Sequence, residues 1–85
     1  MGLRGYPMPD EIRFLCSLHN VGATSSEKSL TIEEISTWIV MEPDKVTENL
    51  DKLIKNDYVH MSFIEGARKY HVTIDGIRKV LSMYS

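Results

Sequence analysis

The chain of 85 residues has one cysteine, no glycine-rich loop, no long apolar run and no excess of basic charge. Each shortage removes a class of function. Cys16 alone makes neither an internal disulfide nor a thiolate cluster for structural zinc, which suits a reducing compartment. Apolar residues never persist for the roughly 18 positions that a membrane span requires, so a cytoplasmic location is expected and no membrane contact. The stretch after Met1 holds a single early Arg4 with no apolar run behind it. Tyr6 stands where a myristoylation signal after Gly2 has Ser or Thr, so neither a leader nor a lipid anchor is expected. No glycine loop is present to cradle a nucleotide phosphate. Ten Lys and Arg face twelve Asp and Glu, a formal charge of −2. Nothing global draws such a chain to phosphate polymers, and any contact with nucleic acid must be local.

The length is that of one domain over residues 1–85, with one modest core and no room for a deep catalytic cleft. His19, His60 and His71 fall on different predicted elements, with no Cys or carboxylate at ligand spacing. No metal, cofactor or enzymatic activity is expected. His60 and His71 are expected to face each other across a hairpin as a surface pair. Cys16 lies on an apolar helical face and reads as a small core residue. The five methionines, scattered over core and terminal positions, read as packing.

What is present is a sequence of short, well-punctuated elements. Pro9 opens a first helix to about Asn20, with Asp10 and Glu11 at the positive end of its dipole. Ile12, Leu15, Cys16 and His19 share one face. Phe14 and Leu18 form a second apolar pair, which asks for the C-terminal helix or a second subunit. After the polar loop "VGATSSEKS", Leu30 is placed to add a short strand. "TIEE" is a capping box, in which Thr31 and Glu34 satisfy each other's backbone N–H groups. The helix it opens buries Ile32, Ile35 and Ile39, carries Trp38 on its flank, and ends near Val40 and Met41. Pro43 starts the next helix, to about Asn56, with Val46, Leu50, Leu53 and Ile54 as its buried stripe, and Asn56 or Asp57 takes the left-handed conformation at its end. The period then becomes two. Val59, Met61 and Phe63 alternate with Tyr58, His60 and Ser62, and Tyr70 and Val72 alternate with Lys69, His71 and Thr73, which predicts a hairpin turning near Glu65 and Gly66. Thr73 caps a last helix whose apolar side is Ile74, Ile77, Val80, Leu81 and Tyr84.

Helix, capped helix, short turn, helix, hairpin and helix is the order of an α+β winged helix-turn-helix domain, a three-helix core with a β-hairpin wing and a C-terminal helix. The residues add a resemblance to this order. "LTIEEISTWIVMEPDKVTENLDKLIKNDYV" resembles the second and third helices of winged-helix transcriptional regulators of the MarR, ArsR and PadR kind. "KYHVTIDG" resembles the aromatic-x-aliphatic-Thr-x-x-Gly ending of their wing. Together they cover roughly Leu30 to Leu81. The chain departs from that pattern at Val40 and Asp57, where such sequences often have Gly, and at Glu42, where a Ser or Thr cap is common. Glu48 stands at a groove-facing position that often holds a basic or amide side chain.

The resemblance implies sequence-specific binding to double-stranded DNA. The helix from Pro43 would then lie in the major groove, and the wing, about Tyr58 to Thr73, on the backbone or in the minor groove. On the outward side of that helix stand Asp44, Lys45, Glu48, Asp51, Lys52 and Lys55, with Thr47 and Asn49 on the flank. Glu48 with Lys52 and Asp51 with Lys55 are acid-before-base pairs at i,i+4, worth roughly 0.2–0.5 kcal/mol each to the helix. Read bare, this is a self-paired, solvated surface. Read as an interface, Lys45, Lys52 and Lys55 reach phosphates or guanine edges, Thr47 and Asn49 a phosphate or an adenine edge, and Glu48 accepts from cytosine. The wing adds Arg68, the residue suited to minor-groove insertion, and Lys69. Two basic residues that merely blunt an edge strand are an equal alternative. Thr31 and the N-terminus it caps offer a phosphate seat beside their ordinary capping role, and Arg4 a flexible arm.

A homodimer is expected through Phe14, Leu18, Val80, Leu81 and Tyr84, since two-fold operators place paired helices one duplex turn apart. The competing class is a winged helix that binds a protein partner and no DNA.

Overall fold

The computed structural model describes residues 8–84. Gly2, Arg4 and Tyr6, with the arm and the lipidation signal read there, lie outside the described residues. Helix α1 spans Asp10–Asn20, α2 Ile32–Ile39, α3 Pro43–Lys55 and α4 Ile74–Ser82. Strands β1 (Val59–Ile64) and β2 (Ala67–Val72) form the hairpin between α3 and α4.

Local chemistry accounts for these boundaries. Pro9 precedes α1 as its cap, its carbonyl accepting from Ile12 and Arg13 N–H at 3.0 and 3.1 Å. The box at α2 is formed in both directions: Thr31 Oγ1 accepts from Glu34 N–H at 3.1 Å, and Glu34 Oε1 accepts from Thr31 N–H at 2.9 Å. Val40 ends α2 in the left-handed region at φ 59°, where Cβ crowds the following carbonyl. The Ser36 hydroxyl, donating to the Met41 carbonyl, and Met41 N–H, donating back to the Ser36 carbonyl at 3.1 Å, hold the bend. Three residues separate α2 from α3, the spacing of a helix-turn-helix. Asp57, not Asn56, takes the left-handed position after α3, at φ 62°.

The hairpin is paired along its whole length, from Val59↔Val72 to Ile64↔Ala67. Glu65 and Gly66 close it, both at positive φ (51° and 81°), as the two-residue turn of a right-twisted ribbon requires. The far edge of β2 is partly covered. Leu30 exchanges both backbone hydrogen bonds with Tyr70 at 2.9 and 2.8 Å, and Val72 N–H donates to the Ala23 carbonyl at 2.7 Å. The expected strand at Leu30 is thus a single bridge.

The core is Phe14, Leu15, Leu18, Ala23, Ile35, Val46, Leu50, Leu53, Val59, Tyr70, Val72 and Val80 with Cys16 at its edge. Helix α1 runs through the middle of it, touching α2, α3, α4 and β2. That position corrects the expected dimer surface. Phe14, Leu18 and Val80 are completely enclosed within one chain, because α4 folds back on α1 and fills the second apolar face from inside. Leu81 and Tyr84 remain outward at 57% and 58% exposure, beside Ile74.

Candidate nucleic-acid interface

Helix α3 presents one wet side. Asp44, Lys45, Thr47, Glu48, Asp51, Lys52 and Lys55 are all exposed along it, while Val46, Leu50 and Leu53 face the core. Pro43 at the start needs no backbone donor there, and Lys52 and Lys55 sit in the last turn, where the helix dipole favours cations.

Glu48 organises this side. Its two carboxylate oxygens lie 3.7 Å from Lys45 Nζ and 4.0 Å from Lys52 Nζ. Both pairs are solvated and each contributes only a few tenths of a kcal/mol. Their significance is positional: one acid draws two lysines toward the middle of the face. The expected Asp51 to Lys55 pair is not formed, so among the described residues Lys55 has no carboxylate partner.

Asn49 corrects the expected set. It is buried at 7% exposure, and its side-chain amide donates to the Lys45 carbonyl at 3.0 Å with Met41 Sδ at 3.6 Å. It belongs to the joint between α3 and the turn and has no edge to offer a base. At 100° per residue it lies one step from Val46 and Leu53, so helical spacing carried the signal.

Thr31 is half-buried and its hydroxyl oxygen is engaged as the α2 cap. On the hairpin, Arg68 is exposed and Lys69 half-buried, on opposite faces of β2. Arg68 pairs across the ladder with Phe63, itself 68% exposed, and Lys69 with Ser62. Phe63 was expected only as part of the alternation; here the apolar side of β1 leaves the core before the strand ends. His60 and His71 pair as expected, ring centroids 5.5 Å apart and edge to face. Burial, and secondarily the neighbouring His60, hold the His71 pKa below the usual imidazole value. Among the described residues, no group of three or more His, Cys, Asp or Glu side chains is placed to hold a metal ion, and no helix is long and apolar enough to cross a membrane.

No protein-family model and no curated protein sequence matches the chain. Solved structures do. The DNA-binding TubR fragment from Clostridium botulinum superposes with a TM-score of 0.77 at 22% identity, over 91% of this chain and 96% of that one. A MarR family protein from Bacillus stearothermophilus gives 0.72 at 20% identity, over 96% of this chain and 55% of that one. Wild-type MarR from E. coli gives 0.72 at 16%, over 91% and 55%.

The fold is a winged helix-turn-helix.

In this winged helix α2 and α3 are the helix-turn-helix and the hairpin is the wing, matching the structures of MarR and TubR regulators over most of the chain. The chain spans nearly the whole TubR fragment and about half the length of the two MarR chains.

Proposed function

We propose that this winged helix binds double-stranded DNA as a small, sequence-selective transcriptional regulator. Helix α3 enters the major groove, and the wing lies along the backbone or in the adjacent minor groove. The observation that carries this reading is the joint exposure of Lys45, Lys52 and Lys55 on α3 and Arg68 on the wing, on a chain whose overall charge is −2. The TubR fragment of matching shape and length is itself described as DNA-binding, which adds support.

The chemistry predicts selectivity at modest affinity. Lys55 and Arg68 are the ready phosphate partners, while Lys45 and Lys52 must leave Glu48 to reach the backbone. A carboxylate held in the groove is unfavourable against phosphate unless a base donor, such as cytosine N4, satisfies it. Thr47 and Lys69 flank these contacts, and Thr31 stands at the α2 N-terminus where a phosphate oxygen fits. Asn49 has no part in it. Two-fold pairing through Ile74 and Leu81 on α4 and Tyr84 just after it is the arrangement that would set two such helices about 34 Å apart.

The protein-binding alternative keeps one specific support, the balanced charge of the α3 face, where Asp44, Glu48 and Asp51 offset Lys45, Lys52 and Lys55 and Glu48 contacts two of those lysines. Salt distinguishes the readings. DNA affinity falls steeply between about 50 and 200 mM salt in proportion to phosphates contacted; a mixed-charge protein interface responds little. A gel shift with the DNA just upstream of the chain's own gene tests the reading directly. Binding that weakens with Lys52→Ala and Arg68→Ala supports it, and no binding opposes it.

A further inference from the structure

Phe63 lies outside the hydrophobic core. The inward face of the hairpin carries three cross-strand pairs, Val59 with Val72, Met61 with Tyr70 and Phe63 with Arg68. The first pair is buried. In the second, Tyr70 is buried while Met61 is 38% exposed; in the third both side chains stand in water, Phe63 at 68%. The core therefore ends between Met61 and Phe63, and the hairpin continues past it as a prong. The ladder holds to Ile64↔Ala67 and the two-residue turn closes it, so strand pairing runs to the tip of the prong.

The ring leaves this prong beside a cation. Directly opposed residues on one face of an antiparallel pair have Cβ atoms about 4.5–5.5 Å apart, so Phe63 and Arg68 project together. Among the described residues, Arg68 has no ion-pair partner and the Phe63 ring has no aromatic partner. From Tyr58 to His71 the charged side chains are Arg68 and Lys69 against Glu65, a local excess of positive charge on an acidic chain. A bare apolar protein surface would satisfy the ring and strand the guanidinium. The minor groove satisfies both: its negative potential takes the cation, and its base steps accept an apolar wedge that partly unstacks them.

We propose that Phe63 is a wedge, inserted between adjacent base pairs from the minor groove while Arg68 anchors the prong beside it, kinking the duplex. The proposal rests on the DNA-binding reading and deepens it with a residue and a binding mode. Pyrimidine–purine steps, above all TA, are the steps that unstack most easily, so the wedge selects for them without hydrogen-bonding a base.

The test uses the full chain and a mixed-sequence duplex of about 30 bp carrying 2-aminopurine in a central TA step and a dye at each end. A matched duplex has an A-tract in place of that step. Anisotropy reads binding, 2-aminopurine fluorescence reads unstacking, and energy transfer between the ends reads the bend. Wild type is expected to raise the 2-aminopurine signal and bend the TA duplex by between about 20 and 90°, and to bind the A-tract duplex more weakly. Phe63→Ala should abolish unstacking and bend while still binding, with a thermal midpoint close to wild type because the ring stands mostly in water; Phe63→Leu should keep both. Binding by wild type without unstacking, or an intact bend in Phe63→Ala, overturns the wedge and leaves the DNA reading standing. No anisotropy change with either duplex overturns both.

Discussion

Thr73 donates its hydroxyl to the carbonyl oxygen of Asp57 at 2.6 Å, and the Thr73 hydroxyl oxygen in turn accepts from Gly76 N–H at 3.0 Å. One side chain thus caps α4 and ties it to the left-handed residue that ends α3, sixteen positions earlier. The base of the wing is clamped between those two helices. Thr73→Ala is expected to cost about 1–2 kcal/mol, read as a drop in the urea midpoint, while Thr73→Ser keeps most of it.

Gly76 is required by space. A Cβ there would collide with the Tyr58 carbonyl oxygen and lie 2.7 Å from Val72 Cγ1. Alanine is the better helix former by roughly 1 kcal/mol, so a surface glycine would gain from the change. Here overpacking prevails, and Gly76→Ala is expected to destabilise by about 1–3 kcal/mol in thermal or chemical unfolding.

Val40 carries strain that no contact repays. It is 88% exposed and left-handed at φ 59°, where an L side chain costs roughly 1–2 kcal/mol. Glycine removes that cost and gives back about 0.5–1 kcal/mol in unfolded-state entropy. Val40→Gly is therefore expected to be neutral to stabilising by about 1 kcal/mol, an unusual sign for a glycine substitution. A clear fall in the urea midpoint would show that the turn is held differently.

His71 sets a pH dependence. Burial first, and the facing His60 second, lower its pKa in the folded chain from the ordinary imidazole value of 6.5. The folded state then binds fewer protons than the unfolded one below 6.5, so stability is complete above that pH and is lost as pH falls through the lowered value. The urea midpoint should decline on that acid side, and His71→Phe should flatten the decline while leaving the carboxylate-driven loss at lower pH.

Much of this architecture could be read from residue spacing. The capping box at Thr31, the turn at Glu65 and Gly66, the helix stop at Asn56 or Asp57 and the cap at Thr73 are each local, fixed by a few neighbouring residues whose backbone preferences are strong. What failed was tertiary. Phe14 and Leu18 form an apolar face that periodicity detects, but periodicity does not say whether α4 or another molecule covers it. The residue type of Asn49 suggests a reader of bases, but its angular place between Val46 and Leu53 puts it inward. Phe63 continued a perfect alternation beyond the point where the core stopped, and only the packing reveals where that is.

Glu48 yields a prediction of opposite sign to its neighbours. Glu48→Gln releases Lys45 and Lys52 and removes a charge that repels phosphate. Affinity for arbitrary duplexes should rise and the salt dependence steepen, by about one unit of slope for each additional phosphate contact, with sequence discrimination falling. Fluorescence titrations against two unrelated duplexes measure all three.

The most direct measurement is the slope of log affinity for duplex DNA against log salt, from about 50 to 200 mM, for wild type and for Lys52→Ala with Arg68→Ala. A steep negative wild-type slope, shallower by about one unit for each residue removed, is the expected result. A slope near zero, or one that the double substitution leaves unchanged, would contradict the claim that α3 and the wing meet the phosphate backbone together.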